Sequence, residues 1–229
     1  MTASLTGISS MATRLLLAEL AQAYRAQYGV TVAFESVGGV DAARRVQAGE
    51  PFDAVVLAAD AIDKLIASGS VVADSKTDLV RSAVAIAVRA GAPRPDIGSE
   101  ETLRCAVLSA RRLGYSTGPS GAALTKLFER WGIADTIRER PVQAPPGIPV
   151  GQLVASGEVD LGFQQLSELM NHPGIEVLGL MPADVGIVTI FSAGICAGSS
   201  QPEAVRALLT FLHSPATADA KRRHGMQAA

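Results

Sequence analysis

The chain has 229 residues, enough for one large domain or two modest ones that bury about 70% of the surface the unfolded chain exposes. Hydrophobic residues are 48% of it and charged residues 18%, which excludes disorder. Lys and Arg number 20 against 22 Asp and Glu, a net charge of −2, so no basic excess exists for a nucleic-acid partner.

Strand and helix alternate from the start. Ser4 to Ile8 reads as a short strand closed by Ser9-Ser10. A helix follows from about Met11 to Tyr28, with Leu16, Leu20, Ala23, Tyr24 and Gln27 at helical spacing, Ser9 or Ser10 able to cap it and Gly29 to stop it. Val30 to Phe34 is a second strand, Ser36-Val37-Gly38-Gly39 a loop, and about Val40 to Ala48 a helix closed by Gly49-Glu50-Pro51. Phe52 to Ala58 is a continuous apolar strand, as a covered parallel sheet requires, and Asp60 opens a helix ending near Ser68-Gly69. A second set begins with a long strand, Leu79 to Arg89. It continues with a helix from Glu100 to Ser109, a strand from Leu113 to Ser116, and a Thr117-Gly118-Pro119-Ser120-Gly121 loop opening a helix to about Trp131. Pro141 to Pro149 reads as a proline-rich loop, then Val150 to Ser156 as helix, Val159 to Phe163 as strand, Gln164 to Met170 as short helix and Glu176 to Leu180 as strand. Ile187 to Ala197 is again long and apolar, and Pro202 to His213 precedes a terminal helix.

This succession predicts an α/β fold with open, mostly parallel sheets wrapped by helices. The two long strands bracket the middle of the chain, and a strand twice the usual length can cross from one lobe to another. The expected arrangement is two lobes, 1–80 with 190–229 and an inserted 81–189, joined by two crossover strands with a cleft between them.

In open α/β sheets ligands bind off the carboxyl ends of strands. The loops there are small and polar: Ser9-Ser10, Gly38-Gly39, Ser116 to Gly121 and Gly162-Phe163-Gln164-Gln165. Backbone N–H groups and the positive ends of helices favour an anion at such places, and hydroxyls add donors. Each loop alone is also what helix capping would produce. Asp41, one turn beyond Gly39, opposes an anion. Arg14, Arg44, Arg45 and Arg81 lie near these loops in sequence, and one facing inward would suit a carboxylate.

Enzyme motifs are largely missing. Gly118-Pro119-Ser120-Gly121 is followed by Ala122, so it is no nucleophile elbow, and no phosphate-binding glycine pattern occurs. His172 sits in a turn and His213 and His224 in terminal helices. Tyr115 and Glu35 flank the loops and are the only proton-transfer candidates, with no catalytic residue assigned. Cys105 and Cys196 have no zinc-type spacing and read as small buried residues, so neither metal nor cofactor is expected. The Lys221-Arg222-Arg223-His224 run reads as a solvated helix end. No apolar run reaches the ~18 residues of a membrane span, so membrane insertion is not expected. Leu15-Leu16-Leu17-Ala18 is broken at once by Glu19, which is no secretory signal. As written, the chain is expected in the cytoplasm; with a signal removed, in the periplasm.

The loops, in their order, resemble those of ABC-transporter substrate-binding proteins with the type II periplasmic-binding fold, and among these the molybdate- and tungstate-binding branch. The likeness covers almost the whole chain. It is carried by Ser10, by Ala42-Ala43-Arg44-Arg45-Val46-Gln47-Ala48-Gly49-Glu50-Pro51-Phe52-Asp53, by Gly118-Pro119-Ser120-Gly121 and by Gly157-Glu158-Val159-Asp160-Leu161-Gly162-Phe163. The resemblance implies two lobes that close on a small anionic ligand held by hydroxyls and backbone N–H groups, and a transporter permease as partner if the protein is exported. It places Ser10, the Gly38-Gly39 pair, the residues around Pro146-Gly147 and Gln165 at the ligand, and the strand-end loops add Ser9, Ser116, Thr117, Ser120 and Gln164 as candidates. Two positions depart from that branch. Val37-Gly38-Gly39 replaces a serine-rich loop and Gln165 a tyrosine, so two hydroxyl donors are missing and a carboxylate becomes as suitable as a metal oxyanion. Aconitate isomerase, an enzyme that looks like this branch, moves a proton along an unsaturated tricarboxylate. The expected function is therefore small-anion binding, with an isomerase of the same fold as the alternative.

Overall fold

The computed structural model describes residues 4–145 and 147–229. In chain order the strands and helices are β1 (Ser4–Ser10), α1 (Arg14–Tyr28), β2 (Thr31–Val37), α2 (Gly39–Gln47), β3 (Ala54–Ala58), α3 (Ala59–Ala67), β4 (Thr77–Arg89), α4 (Glu100–Ser109), β5 (Leu113–Tyr115) and α5 (Pro119–Arg130). They continue with β6 (Pro141–Gln143), α6 (Val150–Ser156), β7 (Leu161–Gln165), α7 (Leu166–Leu169), β8 (Ile175–Leu180), β9 (Val188–Ile195), α8 (Pro202–His213), α9 (Ala218–Arg223) and β10 (Met226–Ala228). The chain divides into two compact units, one holding residues up to Ser82 and from Thr189 onward, the other Ala83–Val188.

In the first unit β1 lies between β2 and β3, parallel to both, and β9 runs antiparallel along β3. Strand period sorts the side chains. Ala54, Val56 and Ala58 of β3 pack with Leu16, Leu17 and Leu20 of α1 and Leu208 and Leu212 of α8. Val55 and Leu57 pack on the other side with Ala42 and Val46 of α2 and Ile62 and Leu65 of α3. Both faces of the sheet are therefore covered, which is why β3 contains no polar residue. Burying each large apolar side chain here stabilises the unit by about 1.5–3 kcal/mol. Helix α1 stops at Gly29, which takes a left-handed conformation (φ 72°) while its N–H returns to the Arg25 carbonyl.

In the second unit β6, β5 and β7 run parallel, and β4 is antiparallel to both β7 and β8. Val84, Ile86 and Val88 of β4 pack with α4 and α5 through Leu103, Val107, Leu124 and Phe128. The opposite face is made of small residues, including Ala85 and Ala87, packed with Leu169 of α7. Gly114 and Gly162 are register partners on β5 and β7. A Cβ at Gly114 would lie 2.9 Å from Val159 Cγ2 and 3.0 Å from Val150 Cγ1, and one at Gly162 would overlap Val154. Glycine there lets α6 settle directly on the sheet.

Three readings of the sequence are corrected. The first turn of the expected 11–28 helix is a 3-10 turn, Met11–Thr13. The proline-rich 141–149 loop begins with the short strand β6, and β10 follows the terminal helix. The basic run 221–224 is no solvated helix end: Lys221 is 1% exposed, and Arg223 and His224 both bond the Glu19 carboxylate of α1.

Candidate functional site

Because β1, β2 and β3 are parallel, their carboxyl ends share one edge of the first unit, with Ser9 opposite Ser36 and Ser10 opposite Val37. Ser9 and Ser10 therefore come together there with Gly38 and Gly39. Each strand leads into a helical start: the 3-10 turn after Ser10, α2 after Gly38 and α3 after Ala58. None of the three starts has a side-chain cap, so the capping expected of Ser9 or Ser10 does not occur.

The two serines face opposite ways. Ser9 is fully buried, with its hydroxyl 2.8 Å from that of Ser36 and donating to the Ser10 carbonyl at 3.3 Å. The contact with Ser36 ties β1 to β2. Ser10 points toward α2: a Cβ at Gly39 would lie 3.8 Å from the Ser10 Cβ. The Ser10 Oγ is buried and has no hydrogen-bond partner among the described residues, an arrangement that costs about 1–3 kcal/mol in an isolated protein. Neither glycine is imposed by packing. A Cβ at Gly38 would meet nothing within 4 Å, and one at Gly39 only ordinary contacts. Both have negative φ, so backbone conformation does not require glycine either.

The second unit has an equivalent edge where β6, β5 and β7 end. Ser116 and Ser120 face each other there, their hydroxyls 3.3 Å apart. Ser120 is buried, while Thr117 is exposed. The N-cap of α5 is Gly118, without a side-chain bond, and position N1 is Pro119, so the Ser120 amide is the first that the helix presents. Gly121 is sterically required, because a Cβ would overlap the Ser116 carbonyl oxygen. Gly147 is an exposed turn residue with φ 81°; Pro146 lies outside the described residues.

Gln164 and Gln165 end β7, and both are buried. Both ends of the Gln164 side-chain amide have partners within the second unit. Its Oε1 accepts the Val150 N–H at 2.9 Å and its Nε2 donates to Glu168 Oε1 at 2.7 Å. The sequence reading placed Gln164 on a short helix and missed Glu168; Gln164 lies on β7 and only Glu168 on α7, so no helical spacing signals the pair.

Two of the arginines near the first-unit edge are committed to carboxylates. Arg44 pairs with Asp41. Arg45 binds Glu35 and Glu50, whose hydrogen bonds push its pKa up, and stacks over Phe52 at 5.2 Å. The same hydrogen bond from Arg45 holds the exposed Glu35 carboxyl below its ordinary range, which makes it a poor proton acceptor. Arg14 and Arg81 are exposed, and Arg81 lies opposite Gln227 of β10. Tyr115 packs partly into the second-unit core.

Among the described residues no group of three His, Cys, Asp or Glu is placed to hold a metal, and no helix is long and apolar enough to cross a membrane. Both cysteines are free. Burial pushes the Cys196 thiol up to about 12, whereas Cys105, expected inside, is exposed. A concavity of about 270 Å³ on the first unit is lined by Asp74, Arg206 and His213 among others, and does not include Ser9, Ser10, Gly38 or Gly39.

Comparison with known proteins fits this architecture. The chain is 39% identical over 230 residues to the aconitate isomerase of a Pseudomonas species, covering 98% of this chain and 87% of that one. It superposes on the periplasmic molybdate-binding protein of Azotobacter vinelandii with a TM-score of 0.81 at 20% identity, over 98% and 99% of the two chains. The sulfate-binding protein of Mycobacterium tuberculosis H37Rv gives 0.81 at 18% identity, over 99% and 87%. These structures share the type II periplasmic-binding fold expected from the loops. The profile of bacterial extracellular solute-binding proteins matches residues 5–227, and the chain belongs to that family.

Proposed function

We propose that the protein binds a small anion, an oxyanion or an organic carboxylate, through hydroxyl and backbone N–H donors at the carboxyl ends of its parallel strands. The observation that carries this reading is Ser10: a buried hydroxyl without a partner among the described residues, beside uncapped helical starts whose amides favour negative charge. Ser116, Thr117, Ser120, Gly147 and Gln165 are the corresponding residues of the second unit. Family membership supports a receptor role, in which the bound anion is passed to an ABC-transporter permease. The absence of packing demand at Gly38 and Gly39 adds support, since glycine there leaves the backbone open to a ligand.

A second reading has its own support. The 39% identity to an aconitate isomerase favours an enzyme that shifts a proton along an unsaturated tricarboxylate. In that reaction a base removes a proton from carbon, the anion site stabilises the enolate-like charge, and a proton returns at the allylic position.

One experiment addresses both. Thermal shift is measured with molybdate, tungstate, sulfate, phosphate, citrate and cis- and trans-aconitate. A ligand at 100 times its Kd should stabilise the fold by about 2.7 kcal/mol. Stabilisation by a carboxylate is followed by NMR in deuterated water, where label entering the ligand means an enzyme and unlabelled ligand a receptor. No shift with any anion would sink the proposal.

A further inference from the structure

Resting on the anion-site reading and deepening it, we infer that Gln164 is a positioning residue, whose buried side-chain amide fixes two loops of the second unit's site edge at once. The sheet face beneath makes this possible. Gly114, Gly162, Ala85 and Ala87 lie around Gln164 on β5, β7 and β4, and their small size lets α6 and α7 lie close to the strands. Gln164 is 3% exposed in that layer. A primary amide buried among apolar groups costs several kcal/mol if unpaired, so its bonds are obligatory.

The two bonds reach different elements. Val150 opens α6, and its N–H is one of the amides a helix start leaves without an internal partner. Taking it at 2.9 Å, Gln164 acts as a remote cap and pins the Gly147-Ile148-Pro149 turn that runs directly into the helix. Glu168 lies in α7, three residues beyond Gln165. The 2.7 Å bond from Gln164 Nε2 is charge-assisted and therefore among the stronger kind. Displacing Gln164 would move the Gly147 turn and the Gln165 shoulder together. Sites held to within about 0.5 Å depend on such supports.

The test uses two variants and two readouts. Gln164→Met keeps the length of the side chain and removes both bonds. Of the two Gln164 bonds, Glu168→Ala removes the one to α7. Amide hydrogen exchange is followed in peptides covering 144–154 and 164–170, with 119–125 as internal control. Affinity is measured for whichever anion of the thermal-shift panel stabilises the wild type. Gln164→Met should speed exchange in both segments, leave 119–125 unchanged and weaken affinity about tenfold. Glu168→Ala should speed exchange only in 164–170. Unchanged exchange in either variant overturns the inference. So does faster exchange with wild-type affinity in Gln164→Met, since the amide would then serve stability alone. If Gln164→Met does not fold, Glu168→Ala decides. A wild type that binds no anion of the panel overturns the site reading itself, a result obtained before any variant is made.

Discussion

At Lys221 an amine-bearing side chain lies 1% exposed among the packed C-terminal helices, and burial lowers its pKa from the ordinary 10.5. Between that lowered value and 10.5 the unfolded chain binds a proton that the folded chain does not, so stability rises with pH through this window. Lys221→Met should raise stability at neutral pH by about 1 kcal/mol and flatten the alkaline rise, as urea titrations from pH 7 to 10.5 would read. A loss of stability would mean that the ammonium contributes favourably. Gly39 calls for a different measurement. It stands in the first turn of α2, where an added Cβ would make only ordinary contacts, so Gly39→Ala should stabilise by about 0.5–1 kcal/mol while weakening anion binding. A variant that gains stability and binds as well as wild type would remove Gly39 from the site. Gly121→Ala should behave oppositely. Its Cβ has no room beside the Ser116 carbonyl, and a rigid backbone clash of this kind should cost about 2 kcal/mol or more in chemical denaturation.

Among the elements, those with chemical punctuation at their ends were legible to the residue. Helix α4 starts after Ser99, whose side chain caps the Thr102 amide while Thr102 returns the bond, and α8 has Pro202 at its first position. Strand β6 was hidden because its first residue is Pro141, tolerable only at the start of a short strand. Strand β10, pairing with β4 at residues 80–82, is only three residues long, too short for alternation to mark it. At the site edges, the hydroxyl-rich strand ends were readable because parallel strands place their loops on one side. Which way each polar side chain turns was not. Ser9 and Gln164 look like donors in sequence, but a strand buried on both faces gives no polar-apolar alternation to orient them. The Glu19 contact was also unreadable, since it joins residues more than 200 apart. Hydrogen bonds from Arg223, then His224, hold the Glu19 carboxyl below its ordinary 4.5. For a depressed carboxylate the contribution is present above the unfolded value and fades as pH falls through the folded one. Wild type should therefore lose stability below about pH 4.5 more steeply than Glu19→Gln, which denaturation at pH 3 to 6 would detect. Matching acid profiles would discount this tie.

For the whole molecule, the segmented make-up of the first unit has a direct consequence. Phe191, Ile195, Val205, Leu208, Leu209 and Met226 belong to the core that also contains Leu5, Leu16 and Val56, whereas the second unit is continuous from Ala83 to Val188. A chain truncated after residue 188 should lose the protected first unit, and limited proteolysis should leave a resistant fragment near 83–188. Equal protection of residues 4–82 would contradict that expectation. The same layout sets a timetable on the ribosome. Strand β3 receives its antiparallel neighbour only when β9 emerges, and at about 5–20 residues per second the intervening 59–187 stretch takes on the order of 10 s to synthesise. During that wait an all-apolar strand edge stands unpaired, the sort of surface that nascent-chain chaperones bind. The domain synthesised first is thus the one completed last, and in the cell its yield should depend on that chaperone supply more than the inserted domain's does.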